Sequence, residues 1–410
     1  MIGINLQSSN NFEGILLYSI VGATLIRTVL RGYSNSLNLT ISIITIFLFA
    51  IPAAAIYALL RVNVLPVMFT FIVFSDLLLV LNNAVKGYGY DEPESFASGS
   101  ERQSTVILFL LLAWCALAGL FIKAEGFLGL LLFLAPFGVS LVYFDLIILQ
   151  RRSRWHALVI LILYLFVITC YTIFQWGGYG RIVIASFILA PLLIVNLRID
   201  LGLRPLYFTL VAPLALFVAQ VSRYGAISDP EQLFIGSAGH HLLVSHDVMQ
   251  RSDHLYHGGW SVFLEQYLLF FFNWLPREFW SDKPLGIGLW SVDVLYGRAG
   301  YGDSYSHSIG FLGEQYFYFG EWFGLGLVIM LLTLLGTRII LRRLSFGFAA
   351  PIVLFDISLV SYFWGGGATF ASRFWFLAVP ALLVCWFLRN RIGHKRPRRV
   401  PLAEIHAMSC

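Results

Sequence analysis

Between Arg223 and Gly320 the chain is polar and rich in histidine and tryptophan, set into an otherwise largely apolar sequence. Six of its nine histidines lie there, His240, His241, His246, His254, His257 and His307. So do the run Leu275-Pro276-Arg277-Glu278-Phe279-Trp280-Ser281-Asp282-Lys283-Pro284 and the tetrad Gly313-Glu314-Gln315-Tyr316. Such residues can do two things, hold an anion and move a proton. Arg277 and Lys283 flank a turn bracketed by Pro276 and Pro284, whose fixed φ limits the conformations open to the two cations. A planar guanidinium fork beside a compact ammonium suits a diphosphate at a membrane surface. The same spacing also fits two cations that pair locally with Glu278 and Asp282 in a solvated turn. His307 and Glu314, seven residues apart, share a face if the intervening chain is helical, an assumption that Gly310 and Gly313 weaken. Either can serve as a base. Histidine ionises near neutral pH, whereas a carboxylate needs burial or apolar neighbours such as Tyr316, Phe317 and Tyr318. A histidine near a membrane interface can equally be structural.

Further cations come from outside this run. Arg181 ends the turn Trp176-Gly177-Gly178-Tyr179-Gly180, whose glycines allow close backbone approach to a ligand, although an arginine there can also snorkel to headgroups. Arg373, after Gly365-Gly366-Gly367, and Arg223, which opens the long polar segment, rank behind it. His240, His241, His246, His254 and His257, with Asp247 and Asp253, can be read as metal ligands, but they match no strong zinc spacing, and a solvated pH-sensitive loop explains them as well. No metal site is expected. Asp76, Asp145 and Asp356 fall in or near apolar runs, where a charge needs a partner on a neighbouring helix, protonation or a relay function.

The elements that must position these residues are membrane helices. The hydrophobic fraction is 59%, the charged fraction 12% and the mean hydropathy +0.79, which excludes a soluble globular domain. Hydrocarbon leaves backbone amides no partner but each other, and barrel alternation is missing, so the spans should be helices. Apolar runs fall at about 14–30, 40–60, 64–85, 105–123, 127–149, 156–176, 182–197, 205–222, 318–338, 349–366 and 372–389, about eleven transmembrane helices. The first has no cleavage signal and reads as a retained span. Basic clusters at Arg151, Arg152 and Arg154, at Arg198 and Arg204, at Arg338, Arg342 and Arg343, and from Arg389 to Arg399 mark a cytoplasmic side that includes the C-terminus. Counting spans back from it puts the long segment and the turns before Arg181 and Arg373 together on the outer face.

The expected fold is an all-α polytopic membrane protein, one transmembrane domain over residues 1–410 with a loop subdomain inserted at 223–312. Within that loop Phe263, Leu264, Tyr267, Leu268, Phe270, Phe271 and Trp274 recur at helical spacing up to Pro276, a segment too short to span and best read as an interfacial helix. Cys115, Cys170 and Cys385 sit in apolar runs, so the loop has no thiol for a disulfide or a metal. The net charge of +5 fits contact with anionic headgroups of membrane lipids, and nothing points to nucleic acid or nucleotide.

The order of these features resembles the Wzy-type O-antigen or oligosaccharide repeat-unit polymerases of bacterial inner membranes. It runs from the Gly-rich turn ending in Arg181 through the long outer loop and the Leu-Pro-Arg and Lys283-Pro284 segment. Ser306-His307-Ser308-Ile309-Gly310, Gly313-Glu314-Gln315-Tyr316 and Phe319-Gly320 follow. The resemblance covers roughly residues 176–325 and the span count. It implies a metal-independent, cofactor-free glycosyltransferase acting on undecaprenyl-diphosphate-linked oligosaccharides at the periplasmic face of the inner membrane, with a chain-length regulator as a partner. The growing chain would be the donor, passed to a hydroxyl of a single lipid-linked repeat with release of undecaprenyl diphosphate. Glu314 or His307 would be the base, and Arg181, Arg277 and Lys283, backed by Arg373 and Arg223, would bind the diphosphate. Trp260, Trp274, Trp280 and Trp290 would stack sugar rings or anchor the loop in the interface. An O-antigen ligase using the same donor and, from another class, a flippase or transporter of lipid-linked oligosaccharide are the rival readings.

Overall fold

The computed structural model describes residues 11–30, 35–85, 101–121, 126–151, 153–174, 181–199, 239–250, 259–297 and 308–393, and all regular structure among them is helical. The first half supplies α1 (Asn11–Leu30), α2 (Ser36–Ile44), α3 (Ile51–Leu60), α4 (Leu65–Val85), α5 (Glu101–Phe121), α6 (Gly126–Arg151), α7 (Arg154–Phe174) and α8 (Arg181–Ile199). The second half supplies α9 (His240–Gln250), α10 (Gly259–Phe272), α11 (Ile287–Tyr296), α12 (Gly310–Phe319), α13 (Phe323–Leu344), α14 (Ala350–Gly365) and α15 (Gly367–Gly393). Helices occupy every apolar run expected from the sequence except 205–222, which lies outside the described residues. Among the described residues seven helical segments are long and apolar enough to cross a membrane by length and composition, and Ser186–Ile199 and Ala350–Gly365 are apolar but shorter. This is an all-α fold consistent with a polytopic membrane protein.

Local sequence explains the departures from straight helices. Between α2 and α3 the ladder widens to a π-helix over Thr45–Ala50, with the Ile51 amide bonded to the Ile46 carbonyl. Pro52 follows and has no amide to give, so the register shifts by one residue ahead of it. The widened turn delivers Phe49 onto Phe71 with ring centroids 3.6 Å apart, and edge-on to Phe311 of α12 at 6.3 Å. A second break comes at Gly320, whose φ of 55° ends α12. In one straight helix Gln315 and Gly326 would stand about 16 Å apart. Here Gly326 abuts the Gln315 side chain, and the Tyr316 and Phe323 rings lie 5.2 Å apart, so α12 folds back against α13.

At the centre stands α14, buried along its whole length except for the half-buried Trp364. It contacts α2, α6, α8, α12, α13 and α15. Without water to drive apolar association, such packing depends on close approach. At Gly138 an added methyl would collide with the Leu377 carbonyl, so α6 meets α15 backbone to backbone. The loop helices α9 and α10 are laid on this bundle, α9 against α12 and α10 against α15.

Three carboxylates carry arginine partners on neighbouring helices. Asp356, fully buried, takes a two-pronged bond from Arg338, at 2.8 and 3.0 Å, and a third from the Ser36 hydroxyl, while Arg338 reaches on to Asn82. Asp145 receives Arg198 at 2.7 and 3.2 Å and the Ala349 amide, and Arg198 also donates to the Gly347 carbonyl. Asp76 pairs with Arg27 in a half-exposed contact. Partnering on a neighbouring helix is thus the state of all three aspartates, and Arg198 and Arg338, counted in the sequence among the basic boundary markers, are internal counter-ions. Both buried pairs lie towards the C-terminal ends of α8 and α13, where α14 begins.

Removing one member of a buried pair leaves a desolvated charge behind. Arg338→Ala is expected to lower the stability of the detergent-solubilised protein by about 3–5 kcal/mol. Arg338→Met with Asp356→Leu should recover most of it, and thermal unfolding of the three proteins measures both effects.

Candidate active site at the Glu314 end of the bundle

The opposite end of the bundle collects the residues with chemical potential. α12 starts at Gly310, whose φ of 71° favours glycine, and the Ser245 hydroxyl of α9 donates to the Ile309 carbonyl at 2.8 Å. A side chain at Gly313 would press on the Ser245 backbone, 3.1 Å away, so small residues let α9 lie flat on α12. The next residue is Glu314, 3% exposed. Its two carboxylate oxygens accept from the Gly367 amide at 3.2 and 3.1 Å, and Tyr318, one turn on, donates its hydroxyl to Oε1 at 3.1 Å. The Tyr362 hydroxyl, buried and without a hydrogen-bond partner among the described residues, interacts electrostatically with the same carboxylate.

This arrangement exists because α14 and α15 are separated by a glycine and not by a loop. Gly366 has φ 83° and ψ −176°, a conformation essentially restricted to glycine, and a Cβ there would stand 2.9 Å from the Glu314 carboxyl carbon. The turn aims the first amide of α15 at Glu314, which places a carboxylate at a helix N-terminus, where the dipole favours negative charge. The local chemistry offers an oxygen base held by two donor groups, the Gly367 amide and the Tyr318 hydroxyl, with the Tyr362 phenol interacting electrostatically with it.

Around it the turn after α10 is stitched by side chains. Asn273 donates to the Ala368 carbonyl at 2.7 Å, and Gln266 holds both the Leu285 carbonyl at 2.6 Å and the Ile287 amide at 3.1 Å. Lys283 donates to the carbonyls of Asn273 at 2.6 Å and Leu275 at 2.8 Å, closing the open end of α10. Arg277 in turn donates to the Lys283 carbonyl at 2.6 Å. Backbone carbonyls, rather than Glu278 and Asp282, are therefore the partners of this cation pair. Burial lowers the Lys283 pKa, and the Arg277 charge lowers it further. Arg277 is exposed and keeps donors to spare, whereas the Lys283 ammonium is spent on the frame.

Arg373 stands half-buried in α15, six residues after Gly367, and interacts electrostatically with Tyr171 of α7. Arg181 is the first residue of α8, and its side chain lies outside the described residues, as do His307, Arg223, His254 and His257. His240, His241 and His246 belong to helix α9 and not to an open loop. His241 is buried edge-on to Phe49, and burial lowers the His246 pKa against an opposing pull from Asp247. Among the described residues no group of three His, Cys, Asp or Glu is placed to hold a metal ion. Trp290 packs on Phe317 at 5.0 Å and Trp274 donates to the Phe271 carbonyl, while Trp260 is open to the outside.

The partners of Glu314 escape a linear reading. Tyr318 was visible as an aromatic neighbour, and its i+4 spacing was the available signal that it bonds the carboxylate. Gly367 and Tyr362 come from 48 to 53 residues downstream, and Gln266 and Asn273, polar positions in the segment that runs up to Pro276, are ties to the turn and to α15. No family model, curated protein or solved structure matches the chain. Fold and site together define an all-α, multi-helix membrane-type protein with a buried, amide-bound carboxylate at one end.

Gly366→Ala is expected to cost about 1–3 kcal/mol from backbone strain alone. The clash of the new methyl with the Glu314 carboxylate adds to it, and Glu314→Ala should relieve that added part in the double variant, a non-additivity that unfolding of the four proteins reads out. Lys283→Met removes two charge-assisted bonds and should speed proteolysis within 273–286 by about tenfold or more, with cut sites mapped by mass spectrometry.

Proposed function

We propose that the chain is a membrane-embedded glycosyltransferase that polymerises undecaprenyl-diphosphate-linked oligosaccharide repeat units at the periplasmic face of a bacterial inner membrane. The observation that carries the reading is the Glu314 carboxylate, held by the Gly367 amide and the Tyr318 hydroxyl where α12 meets the start of α15. In the proposed reaction an acceptor hydroxyl attacks the anomeric carbon of the donor. Its proton passes to Glu314, the new glycosidic bond forms, and the bond from carbon to diphosphate oxygen breaks to release undecaprenyl diphosphate. A positioned base typically contributes about 10²- to 10⁴-fold. The leaving diphosphate needs cations, and Arg277, Lys283, Arg373, Arg181 and Arg223 are those proposed to supply them. Glu314 is closed over in the structure, so an acceptor reaches it when the Gly365–Gly367 segment moves aside. His307 is the alternative base.

The proposed topology has about eleven spans, a cytoplasmic C-terminus and a periplasmic loop carried on α10 as an interfacial helix. In support, α10 exposes Trp260, Leu264, Leu268 and Phe272 along one stripe while burying Phe263, Gln266, Leu269 and Phe270. Membrane lipids, lipid-linked oligosaccharides and a chain-length regulator are the proposed partners. A second reading, a flippase for the same lipid-linked oligosaccharide, is favoured by the ion pairs inside the bundle and by the helix broken at Gly366. Against it, Asp145 and Asp356 are held by several bonds each, as frame elements are.

Purified full-length protein incubated with a lipid-diphosphate repeat unit and chelator should give a ladder of products. Glu314→Gln should reduce ladder formation by about 10²- to 10⁴-fold while the protein still inserts and folds. An absent wild-type ladder, with movement of the lipid-linked unit across proteoliposomes, would overturn the polymerase in favour of the flippase.

A further inference from the structure

Glu314 is fully served only while Gly367 stays beside it. The proposed reaction brings an acceptor hydroxyl to the carboxylate, and so moves the Gly365–Gly367 segment aside. That motion withdraws the Gly367 amide from both oxygens and leaves the Tyr318 hydroxyl as the one remaining donor among the described residues. A buried carboxylate is poorly served by a single donor. The open state therefore calls for a group that the closed state does not use.

Such a group stands one turn ahead of the break. The Gly366 amide donates to the Tyr362 carbonyl at 2.8 Å, the last turn of α14. The Tyr362 side chain is fully buried, and its hydroxyl has no hydrogen-bond partner among the described residues. Its ring centroid lies 6.3 Å from that of Phe311 and 6.4 Å, edge-on, from that of Phe270. Both rings border Glu314. Phe311 is three residues before it on the same face of α12, and Phe270 flanks Gly367, where an added methyl would stand 3.3 Å from the ring and 3.7 Å from Glu314 Oε1. The electrostatic interaction of Tyr362 with Glu314 agrees with this placement.

A phenylalanine would fill the same space. Phe311, Phe270 and Phe363 are the rings around Tyr362, and a buried hydroxyl without a partner is costlier than the apolar ring that could replace it. A second state in which the hydroxyl is bonded accounts for it. Tyr362 belongs to α14, anchored six residues earlier by the bonds from Arg338 to Asp356 and packed directly on α12. Gly367 belongs to α15, on the other side of Gly366. When the segment moves, Tyr362 stays with Glu314 and Gly367 leaves.

We propose that Tyr362 is a positioning residue for Glu314, its hydroxyl donating to the carboxylate in place of the Gly367 amide once the Gly365–Gly367 segment has moved. The proposal rests on the reading of Glu314 as the base and deepens it by naming what holds that base in its working state. The closed state carries an unbonded hydroxyl and the open state does not, so Tyr362 offsets part of the cost of opening.

Tyr362→Phe removes one oxygen and keeps the ring. The closed state then loses an unbonded group and the open state loses a bond, so both effects favour closure. In full-length protein in a neutral detergent, hydrogen exchange across 362–370, read by mass spectrometry, should slow by about tenfold, and the melting temperature should rise. Tyr318→Phe is the contrast, because that hydroxyl is bonded in the closed state, and it should lower the melting temperature without slowing exchange. The initial rate of ladder formation in Tyr362→Phe should fall by about tenfold, and adding Tyr362→Phe to Glu314→Gln should cost little more, since the hydroxyl acts through the carboxylate. Exchange as fast as in wild type or faster, a lowered melting temperature or a failure to fold in Tyr362→Phe means that the hydroxyl already serves the closed state, and overturns the proposal. So does slowed exchange with an undiminished ladder. Exchange is measured without turnover, so the two readings fail separately. Slowed exchange in Tyr362→Phe with no ladder from wild type removes the polymerase and leaves the change of donors, and a wild-type ladder with unslowed exchange does the reverse.

Discussion

The bond between the Gly367 amide and the Glu314 carboxylate is the contact on which the functional end of the molecule depends. It fixes the start of α15 against α12, and it is possible only because Gly366 lets the chain leave α14 and re-enter a helix without a connecting loop. Everything near the site is referenced to that junction. Asn273 ties α10 to the next carbonyl along, at Ala368, Trp375 donates to the Phe270 carbonyl of α10, and Gly326 clasps Gln315 so that α12 cannot swing away from α13. A carboxylate thus serves as the cap of a helix that begins inside the bundle, where water is not at hand to satisfy its first amide.

The other end is organised by charge. Arg338 with Asp356 and Arg198 with Asp145 bracket the beginning of α14, each extended by neutral partners, Ser36 and Asn82 in one case and the Gly347 carbonyl and Ala349 amide in the other. In a low-dielectric interior such pairs hold only when well bonded, and here each guanidinium bonds its carboxylate twice and a neutral partner besides. They join α13, α2 and α4 to one side of α14, and α6 and α8 to the other.

The helices themselves were legible because hydropathy over twenty residues is a local property, and so was the helix before Pro276, although it ends at Phe272, four residues ahead of the proline. The need for partners at Asp76, Asp145 and Asp356 was legible for the same reason, but not who they were, since Arg338 reads as a boundary marker when taken alone. Glu314 stood out by its tetrad, while its amide donor did not, because a glycine's value lies in a backbone angle that leaves no mark on composition. Arg277 and Lys283 show the opposite limit. Their proline bracket correctly signalled an ordered turn, yet order is attained by spending the ammonium of Lys283 on carbonyls, which spacing cannot reveal.

The widened turn at Thr45–Ala50 has a reach beyond its own helix. By rotating Phe49 onto Phe71 and towards Phe311, it makes the first third of the chain a floor beneath the helix that carries Glu314. A rod without that extra residue in its ladder would turn the ring by roughly 100° and leave α12 unsupported from below. The amino-terminal third therefore takes part in the site as its foundation: the distance between a distant proline and the base is measured in stacked rings.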